Sequence, residues 1–102
     1  VTGVQTCALP ILSHLKANRV KFTTDDMVPS LFKFISLLSF LQDLELQDNY
    51  FTDSDIETMI EMLSNFCMYL QSMNVVGSLR KADQVEALRT GISSLKWCFN
   101  EF

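Results

Sequence analysis

The sequence predicts an α/β fold in which short parallel strands lie side by side and a layer of helices covers one of their faces. Three observations carry this. The chain repeats itself on one fixed period from position 12 to position 98 without a gap. Each period holds apolar residues two apart, then apolar residues three and four apart. Polar residues able to cap a helix stand between the two patterns.

The periods are 12–40, 41–69 and 70–98, and 99–102 opens a fourth. The first column holds Leu12, Leu41, Leu70 and Phe99; the fourth holds Leu15, Leu44, Met73 and Phe102; the sixth holds Ala17, Leu46 and Val75. In LQDLELQDN, Leu44 and Leu46 face one side of an extended segment while Asp43, Glu45 and Gln47 face the other, which is a half-buried strand. Phe22-Thr23 recurs as Phe51-Thr52, and Asp26 as Asp55. Next come the pairs Ser54 with Glu57 and Asp83 with Glu86, which predict a capped helix start; Asp25 holds that column in the first period. Pro29 then falls at the fourth helical position, tolerable but weakening. The helix itself is read from Ile56, Met59, Ile60, Leu63 and Phe66, one apolar stripe opposite Glu57, Glu61 and Asn65. The columns Met27/Ile56/Val85, Phe34/Leu63/Ile92 and Leu37/Phe66/Leu95 repeat that stripe, giving about sixteen helical residues per period.

The pattern LxxLxLxxNxFTxxD followed by an amphipathic helix resembles the leucine-rich repeats of the ribonuclease-inhibitor type, and LQDLELQDNYFTDSDIETM is its best copy. The resemblance covers 12–102. It implies a solenoid of about three 29-residue repeats, strands on the concave face and helices on the convex face, that acts as a protein-binding module. The asparagine column departs from the family, reading Val20, Asn49 and Ser78, and Phe-Thr becomes Arg80-Lys81, so the third turn is the least regular. A three-helix bundle is the competing fold; it would need thirteen-residue connections, longer than bundles use.

Composition narrows the function. Eight Lys and Arg against twelve Asp and Glu give a net charge of −4, so the basic footprint of a nucleic-acid partner is missing. The longest apolar run, LFKFISLLSFL, is interrupted by Lys33 and is shorter than the roughly 20 residues of a membrane span. Cys7, Cys67 and Cys98 have no CxxC spacing and an odd count, which fits a reducing compartment and a cytoplasmic protein. Cys67 and Cys98 read as buried small hydrophobes, and Trp97 as packing near the end of the third helix. The single histidine, His14, has no companion at ligand spacing, and neither a nucleophile–base pair nor a glycine-rich phosphate loop is present. No enzyme activity, cofactor or metal is expected.

What remains is a surface for a protein partner. Residues between the strand leucines point outward, and the in-register repeat sets His14 beside Asp43, Lys16 beside Glu45 and Arg19 beside Asp48, with Asn74 in the third row. These seven are the candidate partner-binding residues. The plainer role of the charge pairs is support of the sheet, about 0.2–1 kcal/mol each. The family resemblance also admits a recognition arm of a larger enzyme system, such as a GTPase activator or a ubiquitin-ligase substrate receptor.

The opening VTGVQTCALPI lacks the basic start of a signal peptide, and Gly3 and Pro10 spoil a repeat helix. Residues 1–11 resemble the translation of a sequencing-library adapter, ending where the leucine register begins at Leu12. With no polar cap expected at either end, the chain reads as a piece of a longer repeat array, marginally stable and prone to self-associate through its ends.

Overall fold

The computed structural model describes residues 12–22, 24 and 26–100. Strands and helices alternate: β1 (His14–Lys16), α1 (Met27–Ile35), β2 (Asp43–Glu45), α2 (Asp53–Phe66), β3 (Ser72–Asn74), α3 (Ala82–Gly91) and β4 (Trp97–Phe99). The strands form one parallel sheet in the order β1-β2-β3-β4. Parallel neighbours need a crossover, and each helix supplies one. The helices pack α1 on α2 and α2 on α3. Leu44, Met73 and Cys98 point into the core, where Phe32, Ile35, Met59, Leu63 and Leu88 meet them from the helices. The four parallel strands exclude the three-helix bundle.

Two of the three register steps equal the full repeat period: His14 lies opposite Asp43, and Asp43 opposite Ser72. The third is shorter by four positions, with Ser72 opposite Trp97, Met73 opposite Cys98 and Asn74 opposite Phe99. Phe99 therefore does not continue the column of Leu70, and Trp97 belongs to a strand rather than to a helix end. Phe102 lies outside the described residues. The cause is where the third helix ends relative to its start column, not length alone, since α1 has 9 residues and its unit keeps the full step. α2 has 14 residues and α3 has 10, so α3 starts one full period after α2 but ends four positions early. One helical turn is missing, which keeps the buried stripe in phase while shortening the unit. After each helix the same turn follows: Leu41, Leu70 and Leu95 donate their amides to Leu38, Cys67 and Ile92. Leu95, not Phe99, is the counterpart of Leu70.

The helix starts also differ from the sequence expectation. α2 is capped by Thr52, whose Oγ1 accepts from Asp55 N (3.2 Å) while Asp55 Oδ2 accepts from Thr52 N (2.9 Å). Ser54 lies inside the first turn. Thr52 prevails because it puts Phe51 just before the cap and Ile56 four residues after it, both in the core, as a hydrophobic staple requires. In α3, Gln84 Oε1 accepts from Arg80 N (2.7 Å) and Lys81 N (3.4 Å), so the helix opens at Lys81 and not at Asp83. Asp26 precedes α1, and Asp25 is outside the described residues. Pro29 is the third helical residue, where an amide has no partner in any case, so it costs α1 no hydrogen bond.

The apolar stripe needs correction at its far end. Phe34, Leu37 and Phe66 are exposed. α1 ends at Ile35 and α2 at Phe66, so the chain turns there and Leu38 and Cys67 take the buried places.

Past each of the first three strands the backbone enters the left-handed region, at Arg19 (φ 55°), Asp48 (φ 56°) and Gly77 (φ 77°). Glycine at 77 adopts this conformation without the strain that a side chain adds at Arg19 and Asp48, and a β-carbon there would push the Asp48 carboxylate aside. The next residue ties the turns together. Buried Asn49 donates Nδ2–H to Ala17 O (2.8 Å), and its Oδ1 accepts from Val20 N (2.7 Å). Ser78, its counterpart, accepts from Asn49 N (2.9 Å) and donates to Leu46 O. The departure from asparagine at Ser78 thus preserves the bridge, and the third turn is held as the second is.

Candidate functional site

Because side chains alternate along a strand, the residues flanking each inward-pointing strand centre emerge on the face that no helix among the described residues covers. Across the sheet they read His14 and Lys16, Asp43 and Glu45, Ser72 and Asn74, Trp97 and Phe99. The face changes from basic to acidic to neutral polar to aromatic over four adjacent strands.

Five of the seven residues expected from the sequence lie on this face: His14, Lys16, Asp43, Glu45 and Asn74. His14 Nδ1 lies 3.5 Å from Asp43 Oδ2, and its Nε2 lies 3.8 Å from Glu45 Oε2. Lys16 Nζ reaches the same Glu45 oxygen at 3.6 Å. Glu45 is the hub: its Oε1 also accepts from Gln47 Nε2 (2.6 Å) and Asn18 Nδ2 (3.3 Å). Those two hydrogen bonds, with Lys16 adding less, hold its carboxyl below the usual glutamate range. Asn18 Oδ1 in turn accepts from Gln47 N (2.7 Å), and Asn74 Oδ1 from Val76 N (3.2 Å).

Arg19 and Asp48 stand elsewhere. They occupy the left-handed turns beyond β1 and β2, where Arg19 Nε meets Asp48 Oδ2 at 3.3 Å. All three expected pairs of side chains meet, the His14 pair being a charge pair only when the ring is protonated, and they belong to two groups, one on the strand face and one on the turns after it. Beside the turns, the Arg80 guanidinium lies 4.0 Å above the Tyr50 ring, and Lys81 Nζ lies 3.1 Å from Asp53 Oδ2. Lys81 first, then Gln84, holds the Asp53 carboxyl below its ordinary range.

The aromatic row was not legible in the sequence. A uniform repeat period places Trp97 and Cys98 at the end of a helix, and only a shorter third unit puts Trp97 and Phe99 beside Ser72 and Asn74. The alternation WCF, one small buried residue between two large ones, is the signal that marks a strand there. Both rings are about half exposed. A shallow hollow of about 120 Å³ runs between the rows, lined by His14, Asp43, Glu45, Ser72, Asn74 and Phe99.

His14 turns one ring nitrogen to each of two carboxylates, those of Asp43 and Glu45. Among the described residues no group of three His, Cys, Asp or Glu is arranged to hold a metal ion. Cys67 and Cys98 are free and buried beneath the opposite face; burial pushes the Cys67 thiol up to about 11 and raises Cys98 as well. Among the described residues no helix is long and apolar enough to cross a membrane. Comparison with protein-family models, with curated proteins and with solved structures finds no match.

Proposed function

We propose that this chain is a leucine-rich-repeat segment of the ribonuclease-inhibitor type, a non-catalytic module whose exposed strand face binds a protein partner. One observation carries the reading: a continuous four-strand face, uncovered by any helix among the described residues and graded from charged to aromatic. Three-residue parallel strands, a left-handed turn recurring once per repeat and the Asn49–Ser78 bridge support the repeat assignment. A face that sets Trp97 and Phe99 one polar strand away from a mixed-charge patch offers an apolar anchor with a polar surround, which is how protein interfaces divide their labour. The same reading assigns the module to the cytoplasm, where two buried free thiols stay reduced.

Affinity capture with the immobilised chain tests this, using a strand-face variant (Glu45→Lys with Trp97→Ala) and a helix-face control (Glu57→Lys with Glu61→Lys). A partner retained by the wild type and the control, and lost by the strand-face variant with its circular dichroism unchanged, is the expected result. Loss through the helix-face variant alone would assign binding to the other side and end this reading.

A further inference from the structure

One edge of the molecule, where the helices hand the chain back to the strands, has a surface that the strand-face reading does not use. Leu37 and Phe66 occupy one repeating position and Phe40 and Tyr69 another, each pair one repeat period apart and on adjacent units. The Phe40 and Tyr69 rings stack, 5.7 Å between centroids at 18°. Together with Met68 these side chains are between 48% and 72% exposed. The segments that carry these side chains, 34–42 and 62–71, contain no charged residue, although the chain has twenty; Lys96, whose amide donates to Gln71 O, stands beside them in the next unit.

We propose that this edge is a dimerisation surface and that its occupant is the same edge of a second copy. Two physical arguments select that occupant. A two-fold contact lays one patch against the same patch of a second copy, so an uncharged apolar patch pairs with itself without burying a charge. The strand face and the outer sides of the helices would bury several charges in such a contact, whereas Leu37, Phe40, Phe66, Met68 and Tyr69 are all uncharged and Lys96 is the charge beside them. The second argument is area. An aromatic side chain buries about 150–250 Å², so five large side chains at these exposures present roughly 500 Å² of apolar surface. That is near the upper size of a patch left on a monomer, and two copies together reach the roughly 1,000 Å² at which specific interfaces begin. Pairing this way leaves the strand face open in both copies.

Sedimentation velocity on the 102-residue chain over a concentration series up to a few hundred micromolar tests the proposal. The expected result is a reversible equilibrium that stops at the dimer. Leu37→Asp with Tyr69→Asp should raise its dissociation constant at least thirtyfold, and the more exposed Met68→Asp should do so at least tenfold, each with native circular dichroism. Glu45→Lys should leave the dimer unchanged, so failure here and failure of the strand-face reading are separate results. A monomer at all concentrations, association continuing past the dimer, or a dimer indifferent to the aspartates would overturn the proposal. So would a monomer that binds neutral phosphatidylcholine vesicles through this edge, since the occupant would then be lipid.

Discussion

Asn49 shows how much of this molecule rests on single polar atoms. Its amide closes two hydrogen bonds to the first unit, and its backbone N–H is received by Ser78 of the third, so one residue joins three turns. Replacing it with alanine leaves Ala17 O and Val20 N without their partner. Each buried loss of this kind costs about 1–3 kcal/mol, so Asn49→Ala should destabilise the chain by about 2–4 kcal/mol in urea unfolding. Ser78→Ala, which removes one hydroxyl, should cost about half as much. Equal and negligible effects would show that water replaces the bridge. At this scale the sequence was informative wherever the repeat offset applies: the pairings of His14, Lys16 and Arg19 follow from subtraction. It was silent on the hub role of Glu45, because Asn18 and Gln47 reach that carboxylate through the turn and not through strand pairing.

Secondary-structure elements are where sequence and structure part. The segment FTDSDIE satisfies a capping rule twice, at Thr52 with Asp55 and at Ser54 with Glu57, and hydrogen-bond patterns by themselves do not choose between them. Packing chooses, since only the first places Phe51 and Ile56 together in the core. Thr52→Ala should therefore cost about 1 kcal/mol, within the range of cap removals, while Ser54→Ala stays within about 0.5 kcal/mol. Thermal melts of the two variants decide it; the reverse order would return the helix start to Ser54. The apolar columns were similarly right in kind and wrong at their ends. Leu37 and Phe66 recur as faithfully as any core residue, yet they mark an outer edge, because periodicity reports that two positions are alike and not which way they face.

For the whole molecule, the sheet fixes which parts open first. β2 and β3 are paired on both sides, while β1 and β4 each have one partner strand among the described residues. Amide exchange should accordingly be slowest for Leu46 and Val75, which donate into a neighbouring strand from the centre, and faster for Ala17 and Trp97 by at least tenfold. Uniform protection would mean that the units unfold only together. The fold class was legible because a strand period and a helix period alternate three times. The aromatic row was hidden by one helix being a turn shorter than its neighbour. That shortened helix says something about how such a chain can be edited. The sheet pairs as well across the short step as across the full one, since a whole helical turn was removed and both seams kept their phase. Insertions or deletions of one helical turn are thus changes of wording that leave the grammar intact, whereas gaps of half a turn would swing core side chains outward.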